Sequence, residues 1–126
     1  MPVKCTIDHS AQLVHAVCGG VLTLDDVVAL FDQVIVSEAK SYRKIVELRR
    51  TESTITDDQR HLIGARIQAY KNYMDGPMGP IAIVVTTEGD KIGALFFRAL
   101  GAANRAVEIF HDLESARLWL HRMPEA

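Results

Sequence analysis

Apolar positions change their spacing several times along the chain, and each change marks an element. Residues 3–7 alternate loosely and residues 13–17 are richer in apolar side chains, with Asp8-His9-Ser10-Ala11-Gln12 between them. Asp and Ser there bond their own backbone and favour reversal, so the segment predicts a β-hairpin. Gly19-Gly20 is expected to end its second strand. Leu24, Val27, Val28, Phe31, Val34 and Ile35 then recur at helical spacing. Thr23 caps this first helix, Asp25 and Asp26 suit the positive end of its dipole, and fraying is expected near Ser37. Residues 45–48 predict a short strand.

Thr56-Asp57-Asp58-Gln59 is a capping box that opens a second helix. This helix should run to about Tyr73, with Leu62, Ala65, Ala69 and Tyr73 as its apolar stripe. Asp75-Gly76-Pro77-Met78-Gly79-Pro80 breaks any helix. Residues 81–86 are continuously apolar rather than alternating, which predicts a strand covered on both faces. Thr87 with Asp90 starts a third helix carrying Ile92, Leu95, Phe96, Ala99 and Leu100. Residues 106–110 predict a last strand. Asp112 caps a final helix with Leu113, Ala116, Trp119 and Leu120 inward.

The resulting order is β-β-α-β-α-β-α-β-α. Strands alternating with helices imply an α/β fold with a single mixed, mostly parallel sheet, right-handed crossovers and one antiparallel edge from the hairpin. The chain has 126 residues, 48% of them apolar and 24% charged, which is ordinary composition for one domain over 1–126. No repeat or low-complexity tract divides it.

Charge removes one class of partner. The net charge is −2, from 14 basic and 16 acidic residues, so no field steers the chain to a nucleic-acid backbone. The basic pairs Arg43-Lys44 and Arg49-Arg50 are expected to be solvated loop charges. The start lacks the apolar run of a secretory signal, and the longest apolar run is strand-sized, so no transmembrane segment is expected. Two cysteines, Cys5 and Cys18, are too few for a disulfide framework. These features together predict a cytoplasmic protein with reduced thiols.

Candidate chemistry is thin. None of His9, His15, His61, His111 and His121 stands four residues from another, and Cys5, His9, His15 and Cys18 lack close-spaced ligand pairs, so neither a metal nor another cofactor is expected. Cys18 beside Gly19-Gly20 is the best nucleophile, yet nothing identifies its base. The carboxylate pairs all sit at helix starts, where capping and dipole account for them. Gly76-Pro77-Met78-Gly79-Pro80 has lost two amide donors to proline and does not cradle phosphate.

Gly20-Val21-Leu22-Thr23-Leu24-Asp25-Asp26, Tyr42-Arg43-Lys44, the helix ending near Tyr70, the apolar strand at 81–86, Val107-Glu108-Ile109-Phe110, Asp112 and Ala116-Arg117-Leu118-Trp119-Leu120 occur in an order that resembles the SpoIIAA-like family of STAS/SEC14-type domains. The resemblance spans nearly the whole chain. It implies a non-enzymatic module that binds partner proteins, nucleotides or small ligands, SEC14-type relatives enclosing lipid-like molecules. The family's Asp-Ser-Ser-Gly phosphoswitch does not carry over, because Thr56-Asp57-Asp58-Gln59 occupies its place, and Glu47 stands for the usual aspartate of the third strand. The primary expectation is a regulatory protein-interaction module, with a homodimer in view. The alternative is a binder of a lipid-like or anionic ligand at the carboxyl edge of the strands, near Arg49, Arg50, Thr56 and Thr86. An enzyme using Cys18 comes third. Arg49, Arg50, Thr56, Asp57, Tyr70, Tyr73 and Phe97 are the candidate ligand- or partner-binding residues.

Overall fold

Asp8 builds the first reversal. Its carboxylate accepts from Ser10 Oγ at 2.8 Å and from the Ala11 amide at 3.0 Å, and Gln12 turns through a left-handed φ of 52°. The computed structural model, which describes residues 3–53, 55–73, 78–87 and 106–123 and the side chains of all but 51–53, 70, 71 and 73, thus opens on the expected hairpin. Strand β1 (Val3–Asp8) pairs antiparallel with β2 (Leu13–Leu22), Thr6 facing His15 and Lys4 facing Val17.

The remaining elements follow their sequence signals. Helix α1 (Leu24–Val36) starts on a full capping box between Thr23 and Asp26 and ends at Ser37. Strand β3 (Arg43–Ser53) leads to α2 (Asp57–Tyr73), where the Gln59 amide donates to Thr56 Oγ1 and the Thr56 amide donates to Gln59 Oε1. Strand β4 (Ile81–Val85) has four of its five residues buried, as its unbroken apolar run requires. Strand β5 (Val107–Phe110) precedes α3 (Leu113–Arg122), capped by Asp112 and buried through Ala116 and Leu120. The helix expected around 92–100, with Phe97, lies outside the described residues.

The strands form one five-stranded mixed sheet in the order β1-β2-β3-β4-β5, antiparallel for the first pair and parallel thereafter. Side-chain alternation splits its two faces. Ala16, Cys18, Val46, Leu48, Ile83 and Val85 meet Leu30 of α1 on one side. Ile45, Ala82 and Val84 meet Ala116 and Leu120 of α3 on the other. Each fully buried Ile or Leu among these contributes roughly 2 kcal/mol by removal from water. Among the described residues no helix is long and apolar enough to cross a membrane.

Four expectations need correction. Gly19-Gly20 does not end β2, which continues to Leu22, and β3 extends well beyond 45–48 at both ends. The stripe of α2 is also different: Leu62 is 62% exposed and Ala65 and Ala69 face solvent, whereas Ile63 is buried and Ile67 packs beside it. Two β-branched side chains four residues apart bury more surface than a stripe of alanines, and they set the helix rotation. Lastly, Arg43-Lys44 and Arg49-Arg50 are strand residues, not loop charges. Lys44 is buried, its Nζ donating to the carbonyls of Lys40 (2.6 Å) and Tyr42 (2.8 Å).

Candidate functional site

Parallel register assembles a charged cluster that no local motif announces. Val17 of β2 stands opposite Glu47 of β3, and Gly19 opposite Arg49, so His15, Glu47 and Arg49 share the sheet face that carries α3. Among the described residues helix α3 lies over β3, β4 and β5, reaches β2 only at Leu13, and no helix covers the rest of the β1–β2 half of that face. Lys4, Thr6 and Asp8 are exposed there, and His15 and Val17 are half-buried.

Glu47 is the centre of the cluster. Its side chain is only 5% exposed, and it accepts from Arg49 Nη2 at 2.8 Å on one oxygen and from His15 Nε2 on the other. Burial pushes the carboxyl up, but the hydrogen bonds and charges of Arg49 and His15 together outweigh it and hold Glu47 below the usual carboxylate value. Both carboxylate oxygens are satisfied, so the buried charge is compensated. Arg49 keeps an exposed side chain and carries the cluster to the surface.

A β-bulge sits beside the cluster. Gly19 pairs with Arg49 and Gly20 with Thr51, which leaves Arg50 as the extra residue. Arg50 takes a left-handed φ of 48° and Gly20 a φ of 72°. A Cβ on Gly19 would approach the Arg49 carbonyl oxygen to 3.2 Å, so glycine also permits the close approach of the two strands. Left-handed backbone costs a residue with a Cβ about 1 kcal/mol. Arg50→Gly should therefore raise the thermal midpoint, whereas Arg50→Val should lower it; calorimetry of the two variants checks the sign.

An imidazole oriented by a carboxylate also resembles a general base, so the placement of the nucleophile decides the chemistry. Cys5 and Cys18 project from the opposite face, under α1. Burial, with smaller contributions from Asp26 and Cys5, pushes the Cys18 thiol up to about 12, the reverse of an activated thiolate. Iodoacetamide is thus expected to modify native Cys18 far more slowly than the unfolded chain, as mass spectrometry of the alkylated protein would show. Among the described residues no group of three or more His, Cys, Asp or Glu could hold a metal ion. His9 instead meets the Tyr42 hydroxyl at 2.8 Å.

No family model, curated protein or solved structure matches the chain. The geometry of the chain itself carries the functional reading.

The sequence-derived site residues separate. Arg49 and Arg50 fall in the cluster and its bulge. Thr56 and Asp57 lie exposed at the start of α2, Thr56 spent on the cap and Asp57 accepting from Arg60 at 2.8 Å. Thr86, at the end of β4, donates to the Leu48 carbonyl at 3.2 Å. Tyr70 and Tyr73 belong to the last turns of α2, their side chains outside the described set, as Phe97 is altogether. His15 and Glu47 were missing from the expected site. The signal that finds them is the pairing of β2 with β3, which the sequence does not display locally.

An apolar cleft opens at the opposite end from the expected carboxyl edge. Val14, Val46 and Ile81 from the first halves of β2, β3 and β4 line it with Leu30 and Val34 of α1, and Lys40 and Lys44 stand at its wall. Its volume is about 50 Å³. Pockets for drug-sized ligands run to roughly 300 Å³ or more, so such a ligand would have to part α1 from the sheet.

Proposed function

We propose that the chain is a regulatory, non-enzymatic protein-interaction module of the STAS/SpoIIAA-like kind, acting in the cytoplasm and docking a partner protein on the open β1–β2 half of the sheet. One observation carries the reading: among the described residues the sheet face is exposed where a buried carboxylate holds an exposed arginine and a half-buried histidine beside a strained bulge. Local strain persists where the surroundings over-determine it, and it clusters at functional sites. Compensated charges with an exposed Arg tip select partners by complementarity more than by bulk affinity. The buried Cys18 thiol removes the best nucleophile from the face, which supports binding over catalysis.

The test is affinity capture with wild-type protein and Arg49→Glu, with circular dichroism to confirm that both are folded. A specific protein retained by the wild type and lost by the variant supports the reading. Equal retention by both proteins overturns it.

The α1 cleft favours a second reading, a small apolar or amphiphilic ligand held beside Lys40 and Lys44. Native mass spectrometry of the purified protein tests it: a retained ligand supports it, and the bare chain mass opposes it. The narrow cleft ranks this reading second.

A further inference from the structure

Strand β1 is the sheet's outer strand, paired on one side with β2 and with no strand on its other side among the described residues. Unpaired edges usually carry charges that repel a second strand. The charges on β1 are of opposite sign and symmetrically placed: Lys4, Thr6 and Asp8 alternate along the open face, with Cys5 and Ile7 half-buried on the other. We propose that β1 is the contact strand of a homodimer, two copies pairing antiparallel about a two-fold axis at Thr6.

Geometry restricts the register. A two-fold axis perpendicular to the sheet keeps each face continuous, so the residue on the axis must face its own copy. Centred on Thr6, the pairing sets Lys4 of each chain opposite Asp8 of the other and Cys5 opposite Ile7. Centring on Cys5 or Ile7 leaves the charges without opposite partners. Cross-strand pairs of opposite charge are favourable and like pairs are not, so charge selects the Thr6 register. Asp8 is prepared for this role. The Ala11 amide and Ser10 hydroxyl bond its Oδ1, orient the carboxylate and hold it below the usual value, so it meets a lysine as an anion.

The dimer would join two open half-faces into one surface and set the two α1 helices on the opposite side. It rests on the interaction-module reading only in reserving that face for partners, and each can fail without the other. Six residues a side make a small contact, so the dimer should exchange rapidly and form at micromolar concentration or above.

Sedimentation across a wide concentration range, with disulfide trapping, tests it. In a Cys5→Ser background, Thr6→Cys places two thiols with Cα atoms about 5 Å apart, within disulfide range, whereas Lys4→Cys places them about 14 Å apart. Thr6→Cys should trap a covalent dimer on oxidation and Lys4→Cys should not. Lys4→Glu, at an exposed position, should weaken self-association about tenfold by turning two attractive pairs into repulsive ones, and adding Asp8→Asn should recover part of the loss. A chain monomeric at every concentration, trapping equal at positions 4 and 6, or self-association indifferent to Lys4→Glu would each overturn the proposal. A monomer whose foreign partner is still lost on Arg49→Glu would overturn the dimer and leave the docking reading standing.

Discussion

Gly79→Ala is expected to destabilise the protein by about 3 kcal/mol or more, through a clash that no side chain can relieve. A Cβ at Gly79 would drive into the carbonyl oxygen of Tyr42 and come within 2.5 Å of that of Ser41. Both are backbone atoms in the turn entering β3. The turn is fixed by several bonds at once: the Gly79 amide donates to the Lys40 carbonyl at 2.9 Å, the Lys44 amide donates to the Pro80 carbonyl at 2.9 Å, and Lys44 Nζ closes onto Lys40 and Tyr42. Relief would require moving the start of β4 away from β3. For a domain of this size the thermal midpoint should fall by about 10 °C. A midpoint within a degree or two of wild type would mean that the 40–44 turn and the 79–80 segment do not pack as described.

Glu47→Gln is the second large effect. The change keeps shape and removes the charge that Arg49 and His15 share. Loss of charge-assisted bonds to a buried carboxylate should cost about 2 kcal/mol at neutral pH. The pH dependence has a definite sign. Glu47 titrates below its ordinary value of 4.5 in the folded chain. Its stabilisation is therefore complete above that ordinary value and is lost as pH falls through the lower folded value. Urea midpoints of wild type and Glu47→Gln should differ most near about pH 7 and converge once the pH has fallen below the folded value of Glu47, where both carry a neutral side chain at 47. A gap that widens toward acid would contradict the assignment. Glu47→Leu is expected to cost less than Glu47→Gln if Arg49 swings to solvent, because an apolar side chain needs no buried partner.

Elements with strong local signals were legible in the sequence. Thr23 with Asp26, Thr56 with Gln59, and Asp112 each begin a helix by bonding within three residues, so the code and the contact lie together. The 81–85 run reads as a doubly covered strand because nothing in it could face water. Strand ends were less legible. Gly19-Gly20 reads as a terminator, but here it serves a bulge that needs glycine on one strand and tolerates a left-handed Arg50 on the other. The rotation of α2 was misread because Leu62 and Ile63 are neighbours of equal hydrophobicity, and only packing against α1 and the core decides which turns inward.

The site was half legible. Arg49 and Arg50 stand out as a basic pair after an apolar run. His15 and Glu47 are 32 residues apart and meet only through the β2–β3 register, a long-range property that no window along the chain contains. The apolar cleft was not legible for a similar reason. The rule that ligands favour strand carboxyl ends gives the usual location. Here the open space follows from how α1 and the Lys40–Lys44 turn rest on the first halves of β2 and β3.

Photo-cross-linking from the two sides of the molecule tests the docking face most directly. A benzophenone amino acid at Val17, half-buried on the open β1–β2 face, should give a covalent adduct with a discrete foreign protein in cells, and the same group at Leu62, exposed on α2, should not. An adduct from position 62 with none from position 17 would contradict the account.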